Sequence, residues 1–323
     1  MRIARLILVC AALAACSQSA PTPAAAPTTA FTLAARAEGA ALLSANDEYM
    51  AALSPADLSI WLKRPDGGDR AAFAAFLAAG AQEWSPEERT RLEAMLARDT
   101  PRLAGLSGWL PEHVLIAKID PAASGDSDFT RANAIFLKAP LPDTEDKLDD
   151  LFFHELFHVL SRHNPERRDA LYGVLGFVRC TPMDLPADLR ARLLTNPDAP
   201  LAEHATPVGG TDASLYVTPL LVADPTRFTP AHPNFFDYLH VRFTTLRRDS
   251  AGRCTPVDTT MKPDALRDVV LAHAGRNTDY LFHPEETLAD NFAQMMVGRR
   301  DAPNPEVYDR LAVVLGIPRP APR

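Results

Sequence analysis

The chain has 323 residues, 47% of them hydrophobic and 23% charged, which is enough for one large core or two modest ones and too apolar for a disordered chain. Its 33 Lys and Arg face 41 Asp and Glu, a formal net charge of −8. Nucleic-acid affinity rests on clustered cations that neutralise phosphates, and no basic run here exceeds two residues, so the composition argues against that class of partner.

Arg2 and Arg5 precede an unbroken apolar stretch from Leu6 to Ala15, a charged segment and then a hydrophobic one too short to span a bilayer. The stretch ends in Leu13-Ala14-Ala15-Cys16, which resembles the lipobox of bacterial lipoproteins. The resemblance implies that residues 1–15 are a signal peptide, that Cys16 carries lipid, and, with Ser17 next, that the protein sits on the outer membrane facing the periplasm. The alternative is an ordinary cleaved signal whose cysteine is incidental. Cleavage would remove Arg2 and Arg5 and take the net charge from −8 to −10. Cys10 would leave with the signal, so Cys180 and Cys254 remain either to form a disulfide in an oxidising compartment or to stay as two buried thiols. Residues 16–30 hold no large apolar side chain and read as a tether.

From Thr32 apolar residues recur at helical spacing over 32–53, 69–80 and 86–105, the last opened by Ser85-Pro86-Glu87-Glu88, an N-cap, a proline at the first helical position and a capping-box acid. Residues 31–110 therefore form a helical N-terminal part whose pattern looks like core rather than chemistry. Near residue 110 the texture changes, placing a boundary before short strands at 114–119 and 134–137. A helix over 144–163 follows, then strands near 214–222 and 236–246 and helices at 263–274, 284–299 and 305–315. The fold class expected is α+β: helix-rich, with a small mixed sheet in a domain over 111–323 and a β-containing insertion over about 177–260.

The 144–163 helix contains His154-Glu155-Leu156-Phe157-His158. Two histidines four positions apart project about 40° from each other on a helix, so both imidazoles can reach one metal while Glu155 stands beside it without ligating. Leu148, Phe152, Phe153, Leu156, Phe157, Val159 and Leu160 fill most of the remaining circumference, so the histidine stripe lies in a buried helix and needs polar partners. A catalytic zinc site takes three protein ligands and keeps one position open. His163 is one residue out of step for the metzincin pattern. His113, His204, His232 and His273 show no ligand spacing and are assigned to surface or core.

In His283-Pro284-Glu285-Glu286-Thr287-Leu288-Ala289-Asp290, Pro284 opens a helix that puts Glu286 and Asp290 on one face. The pairing of this Glu-x-x-x-Asp with the His-Glu-x-x-His sequence is similar to the gluzincins, the thermolysin-like zinc metallopeptidases. The resemblance covers only the two metal-bearing helices and the strand before the first. It implies a zincin-like fold, one Zn2+ per chain held by His154, His158 and Glu286, Glu155 as general base, and Asp290 orienting a ligand imidazole, His154. Glu285 and His283 stay open as alternative ligands, as does a solvated acidic first turn that suits the helix dipole. From His158 to Glu286 is 128 residues, longer than in that group.

In zincins the strand before the motif helix forms an edge along which peptides lie, so Ala134 to Leu137 is either such an edge or an ordinary internal strand. A donor for the oxyanion is also needed; Tyr280 is the leading choice, with His283, Tyr216, Tyr238 and His240 as others. The function expected is a lipid-anchored zinc metallopeptidase acting on peptide or protein substrates. The competing class is a non-enzymatic envelope lipoprotein with a structural or vestigial zinc site. Nothing in the sequence fixes the oligomeric state.

Overall fold

A computed structural model describes residues 29–210 and 212–320; the signal, Cys16 and most of the tether lie outside the described residues. The central sheet takes its strands from both sides of residue 110: β1 (Ala30–Leu33), β2 (Ala81–Gln82), β3 (His113–Ile119), β4 (Phe129–Arg131) and β5 (Ala134–Lys138), in the order β1-β3-β5-β4. β1 and β5 run parallel to β3, while β2 pairs antiparallel with Lys118 and Ile119, beyond the end of β1. β4 folds back antiparallel on β5 and forms one edge. Side chains alternate faces along a strand. Val114, Ile116, Ile135 and Leu137 accordingly join the core beneath the metal-motif helix, whereas Ala117, Ile119, Ala134 and Phe136 pack on the N-terminal helices through Leu43, Phe73 and Leu77. The result is three layers with the sheet buried on both faces, a mixed α/β architecture.

The boundary expected near residue 110 thus runs through one sheet. Residues 31–110 read as a separate helical part because β1 is only four residues long and is recruited by a nonlocal pairing, Ala30 with His113 to Leu33 with Ile116, that leaves no local signature. The helix expected over 32–53 is instead β1 followed by helices at Arg36–Leu43 and Glu48–Ala52. A further short helix, Pro55–Trp61, opens with Ser54 and Asp57 in a reciprocal capping box.

The inserted segment forms a second, antiparallel sheet in the order β10-β9-β8-β7-β6: β6 (Val178–Arg179), β7 (His204–Pro207), β8 (Leu215–Ala223), β9 (Leu239–Arg248) and β10 (Cys254–Pro256). Cys180 and Cys254 stand at its two ends in sequence and are joined by a disulfide with Cα atoms 5.4 Å apart. No helix among the described residues is long and apolar enough to cross a membrane.

Candidate metal centre

The helix Glu145–His163 is set by its ends and by its burial. The Thr144 hydroxyl accepts the Lys147 N–H, Glu145 and Asp146 suit the positive helix start, and Asn164 stops the helix by donating its side-chain amide to the carbonyls of Trp109 and Leu160. Arg98 reaches across from the Pro86–Asp99 helix to Glu145 and the buried Asp149, clamping the first turns. The second helix, Pro284–Met296, begins with the His283 ring accepting the Glu285 N–H at 3.1 Å. Leu288, Phe292, Met295 and Met296 bury its far side, and Phe292 meets Phe153 and Phe157 at ring separations of 6.4 and 5.5 Å.

This crossing brings His154, His158 and Glu286 together, with one ligand atom from each inside a 4.8 Å span. Glu286 Oε2 lies 3.3 Å from His154 Nε2 and 3.6 Å from His158 Nε2. Two bonds of about 2.0–2.1 Å at a tetrahedral angle separate their ligand atoms by roughly 3.3–3.4 Å, so the spacing suits a small cation between them. His158 Nε2 is buried without a hydrogen-bond partner among the described residues, an orphaned ring nitrogen aimed at the same region. The outer nitrogens are each fixed by a carboxylate: His154 Nδ1 by Asp290 at 2.8 Å and His158 Nδ1 by Glu285 at 3.2 Å. A carboxylate behind each ring suits an Nδ1–H donor, so that Nε2 can offer its lone pair once it gives up its own proton. Asp290 is itself held by the Thr278 hydroxyl. Glu285 accepts the hydroxyls of Ser161 at 2.7 Å and Tyr172 at 2.6 Å.

These contacts give the alternatives left by the sequence different surroundings. Glu285 is neither a solvated first-turn acid nor a member of the cluster; it is 1% exposed and orients His158. His283 serves as the helix cap. Glu155 is 3% exposed, with one carboxylate oxygen buried and unpartnered among the described residues. Tyr280 is half exposed, its ring 6.2 Å from that of His154, and it lines the cavity onto which the cluster opens. Tyr216, Tyr238 and His240 are not among the residues lining that cavity, and the Tyr238 hydroxyl is bound to Thr229 and His232 in the loop before β9. β5 is internal, flanked by β3 and β4, so it offers no edge; the terminal strands of this sheet are β1 and β4, and on β4 Asp198 already accepts the Thr130 N–H at 2.7 Å.

Asp198 belongs to a part of the site that sequence spacing did not show. Segment 192–194 pairs with the outer edge of β8, through Leu194 N–H to the Leu221 carbonyl and Ala223 N–H to the Arg192 carbonyl, and delivers 195–198 to the metal helices. There the Asn196 side-chain amide donates to Glu286 Oε1 at 2.5 Å, leaving Oε2 to face the imidazoles. The loop is anchored from the N-terminal helices: the buried Asp57 accepts the Thr195 N–H at 3.0 Å and its hydroxyl at 2.7 Å. Glu155, His158 and Asp198 also fall within 4.8 Å, but His158 has one free nitrogen to give, and Asp198 Oδ1 already takes two bonds from Thr130. The set with Glu286 is the better chelate.

Burial by itself would depress both imidazoles. The carboxylates around them outweigh it, Asp198, Glu286 and Glu285 lifting His158 to about 9, and Asp290 and Glu286 raising His154. Burial would raise Glu286, but the two imidazoles and Asn196 pull it down to about 2. Glu155 is pushed well up by burial and then by the charge of Asp198. Such an excess of carboxylate favours positive charge at the imidazoles, which a divalent cation would supply in place of their protons.

Comparisons with protein-family models, with curated proteins and with solved structures found no match. The reading of the site therefore rests on its own geometry.

Proposed function

We propose that the chain is a zinc metallopeptidase of the gluzincin kind, with a zincin-like fold, carried on a lipid-anchored tether at the periplasmic face of the outer membrane. The observation that carries this reading is Glu286 Oε2 set between two carboxylate-oriented imidazoles, one with an orphaned Nε2, at tetrahedral ligand spacing. Two imidazoles and one carboxylate are a donor set that suits zinc with a position left open. Bound there, Zn2+ lowers the pKa of water and polarises a carbonyl.

The chain's own residues do the rest. His154, His158 and Glu286 hold the ion, and Asp290, Glu285 and Asn196 keep those three in place. Glu155, buried beside the imidazoles with one carboxylate oxygen unpartnered among the described residues, accepts a proton from the attacking water and returns it to the leaving amine. Tyr280, at the cavity wall, is the donor to the carbonyl oxygen as it gains charge. A purely structural ion would want closed coordination and has no use for the free Glu155 oxygen.

Purified protein should hold about one zinc per chain, and Glu155→Gln should retain it while lowering hydrolysis of a peptide library by a factor of about 10²–10⁴. Stoichiometric zinc without turnover of any peptide mixture would sink the enzymatic reading and favour the structural one.

A further inference from the structure

In the second sheet, the free edge of β9 starts at the cavity of about 620 Å³ onto which the metal cluster opens, since Phe236 and Leu239 line that cavity. Register fixes which backbone groups face the edge. On β8 the Leu221 carbonyl accepts the Leu194 N–H and the Ala223 N–H donates to the Arg192 carbonyl, so both residues bond away from β9. Leu221 is paired with Val241 and Ala223 with Leu239, and in an antiparallel ladder both members of such a pair turn their groups outward. Thr245 is in the same phase, and its outward carbonyl accepts the Val257 N–H. β10 reaches only 246–248, so the N–H and C=O of Val241 and Phe243 have no partner among the described residues.

The two faces of this edge differ, because side chains alternate. Leu221 and Leu239 line the cavity, and Val241, opposite Leu221, carries that apolar face outward at 39% exposure; Phe236, just before β9, is 55% exposed. The other face bears His240 and Arg242, both exposed. Arg247 pairs with Asp212 and Arg248 with the Arg179 carbonyl, whereas Arg242 has no hydrogen bond or ion pair among the described residues. Open edges invite a further strand unless they are blocked. On β4 the block is present, Asp198 taking the Thr130 N–H and Arg162 the Ala132 carbonyl; on β9 it is not.

We infer that the edge of β9 is a docking strand for the substrate polypeptide: an extended segment pairs with Val241 and Phe243, sets acidic side chains beside Arg242 and apolar ones beside Val241, and runs past Leu239 to the cavity. The word substrate rests on the peptidase reading, but the edge belongs to the insertion, on a different sheet from β4 and β5 and outside the gluzincin likeness. A second copy of the chain is the poorer occupant. Two such edges paired antiparallel about Val241 would crowd two Arg242 guanidiniums and two His240 rings onto one face, and like charges across a strand pair repel.

The probe is a blocked fluorescent peptide of alternating Val and Glu, compared with its Val–Lys counterpart on zinc-loaded Glu155→Gln protein. Anisotropy should show the Glu peptide bound about 10-fold more tightly. Val241→Pro removes an outward N–H and sets a ring on the edge while sparing the bonds to β8, and should weaken the Glu peptide about 10-fold. Arg242→Glu should erase the preference for Glu over Lys. In turnover by the wild-type chain, joining the Val–Glu segment to a short cleavable peptide should lower KM about 10-fold with kcat unchanged. Val241→Pro should remove that gain and leave the short peptide's kinetics as they were. Equal affinity for the two probes, or an affinity that Val241→Pro leaves unchanged, overturns the docking strand. Self-association seen by sedimentation and lost in Val241→Pro assigns the edge to a second copy and also overturns it. Absence of any cleavage overturns the peptidase reading alone, and the anisotropy measurements then decide the strand. Circular dichroism and zinc content of each variant separate loss of the edge from loss of the fold.

Discussion

Glu285 is the sharpest point at which to test the centre, because two adjacent glutamates differ in role only through the direction each side chain takes. In Glu285→Gln the shape is kept and the charge removed. If the amide oxygen keeps the Ser161 and Tyr172 hydroxyls, which lie at 2.7 and 2.6 Å, the amide NH2 must face His158 Nδ1. That nitrogen then has to accept, which moves the ring proton to Nε2 and places it where the metal should bind. The reverse amide orientation spares the imidazole but sets NH2 against two hydroxyl donors in a site that is 1% exposed. Either way zinc affinity should fall by about 10–100-fold, the usual cost of losing a partner behind a ligand. Stability of the metal-free protein should fall by about 2 kcal/mol through weakened charge-assisted bonds. Competition against a chromophoric chelator measures the first and urea unfolding the second. Glu286→Ala, which removes a ligand, should weaken zinc far more. Affinity within threefold of wild type for Glu285→Gln, or a larger loss there than for Glu286→Ala, would refute the assignment.

Asp57→Ala strips the acceptor from the Thr195 N–H, the Thr195 hydroxyl and the Ser54 N–H, and should cost about 3 kcal/mol. Hydrogen exchange should quicken at 195–198, and unchanged protection there would contradict the proposed anchoring. His283 is depressed by burial from 6.5 to about 4, so the unfolded chain takes up the proton first; its stabilising effect is complete above pH 6.5 and lost as pH falls towards 4. Metal-free protein should therefore lose up to about 3 kcal/mol across that window, and His283→Asn, which keeps a helix cap, should flatten the profile. Replacing Cys180 and Cys254 by Ser should lower unfolding free energy by about 4 kcal/mol, given their separation of 74 residues, and non-reduced fragments of the native chain should carry the pair linked.

Where information was local, the sequence was readable. The motif helix was readable from its apolar circumference, and Pro284 marked the start of the second helix two residues from Glu286. What escaped reading depends on distant pairing. β1 is strand only because β3 lies beside it. Glu285, in an acidic first turn that suits a solvated helix start, is buried because Tyr172 and Ser161 close over it. Asn196 and Asp198 follow no ligand spacing, since a loop carried on the edge of β8 brings them in. Tyr49 and Trp61 lie in the N-terminal part whose pattern looked like core rather than chemistry, and both line the cavity.

The anchoring of Thr195 by Asp57 has a bearing on when during folding the centre comes into being. The bond joins residues 138 positions apart, and the loop it secures touches a glutamate 90 positions further on. No fragment ending before Pro284 holds the third ligand, and no chain lacking its first helices holds the loop behind it. A cluster built this way is complete only in a chain whose N-terminal helices, 195–198 loop and Pro284–Met296 helix are all in place.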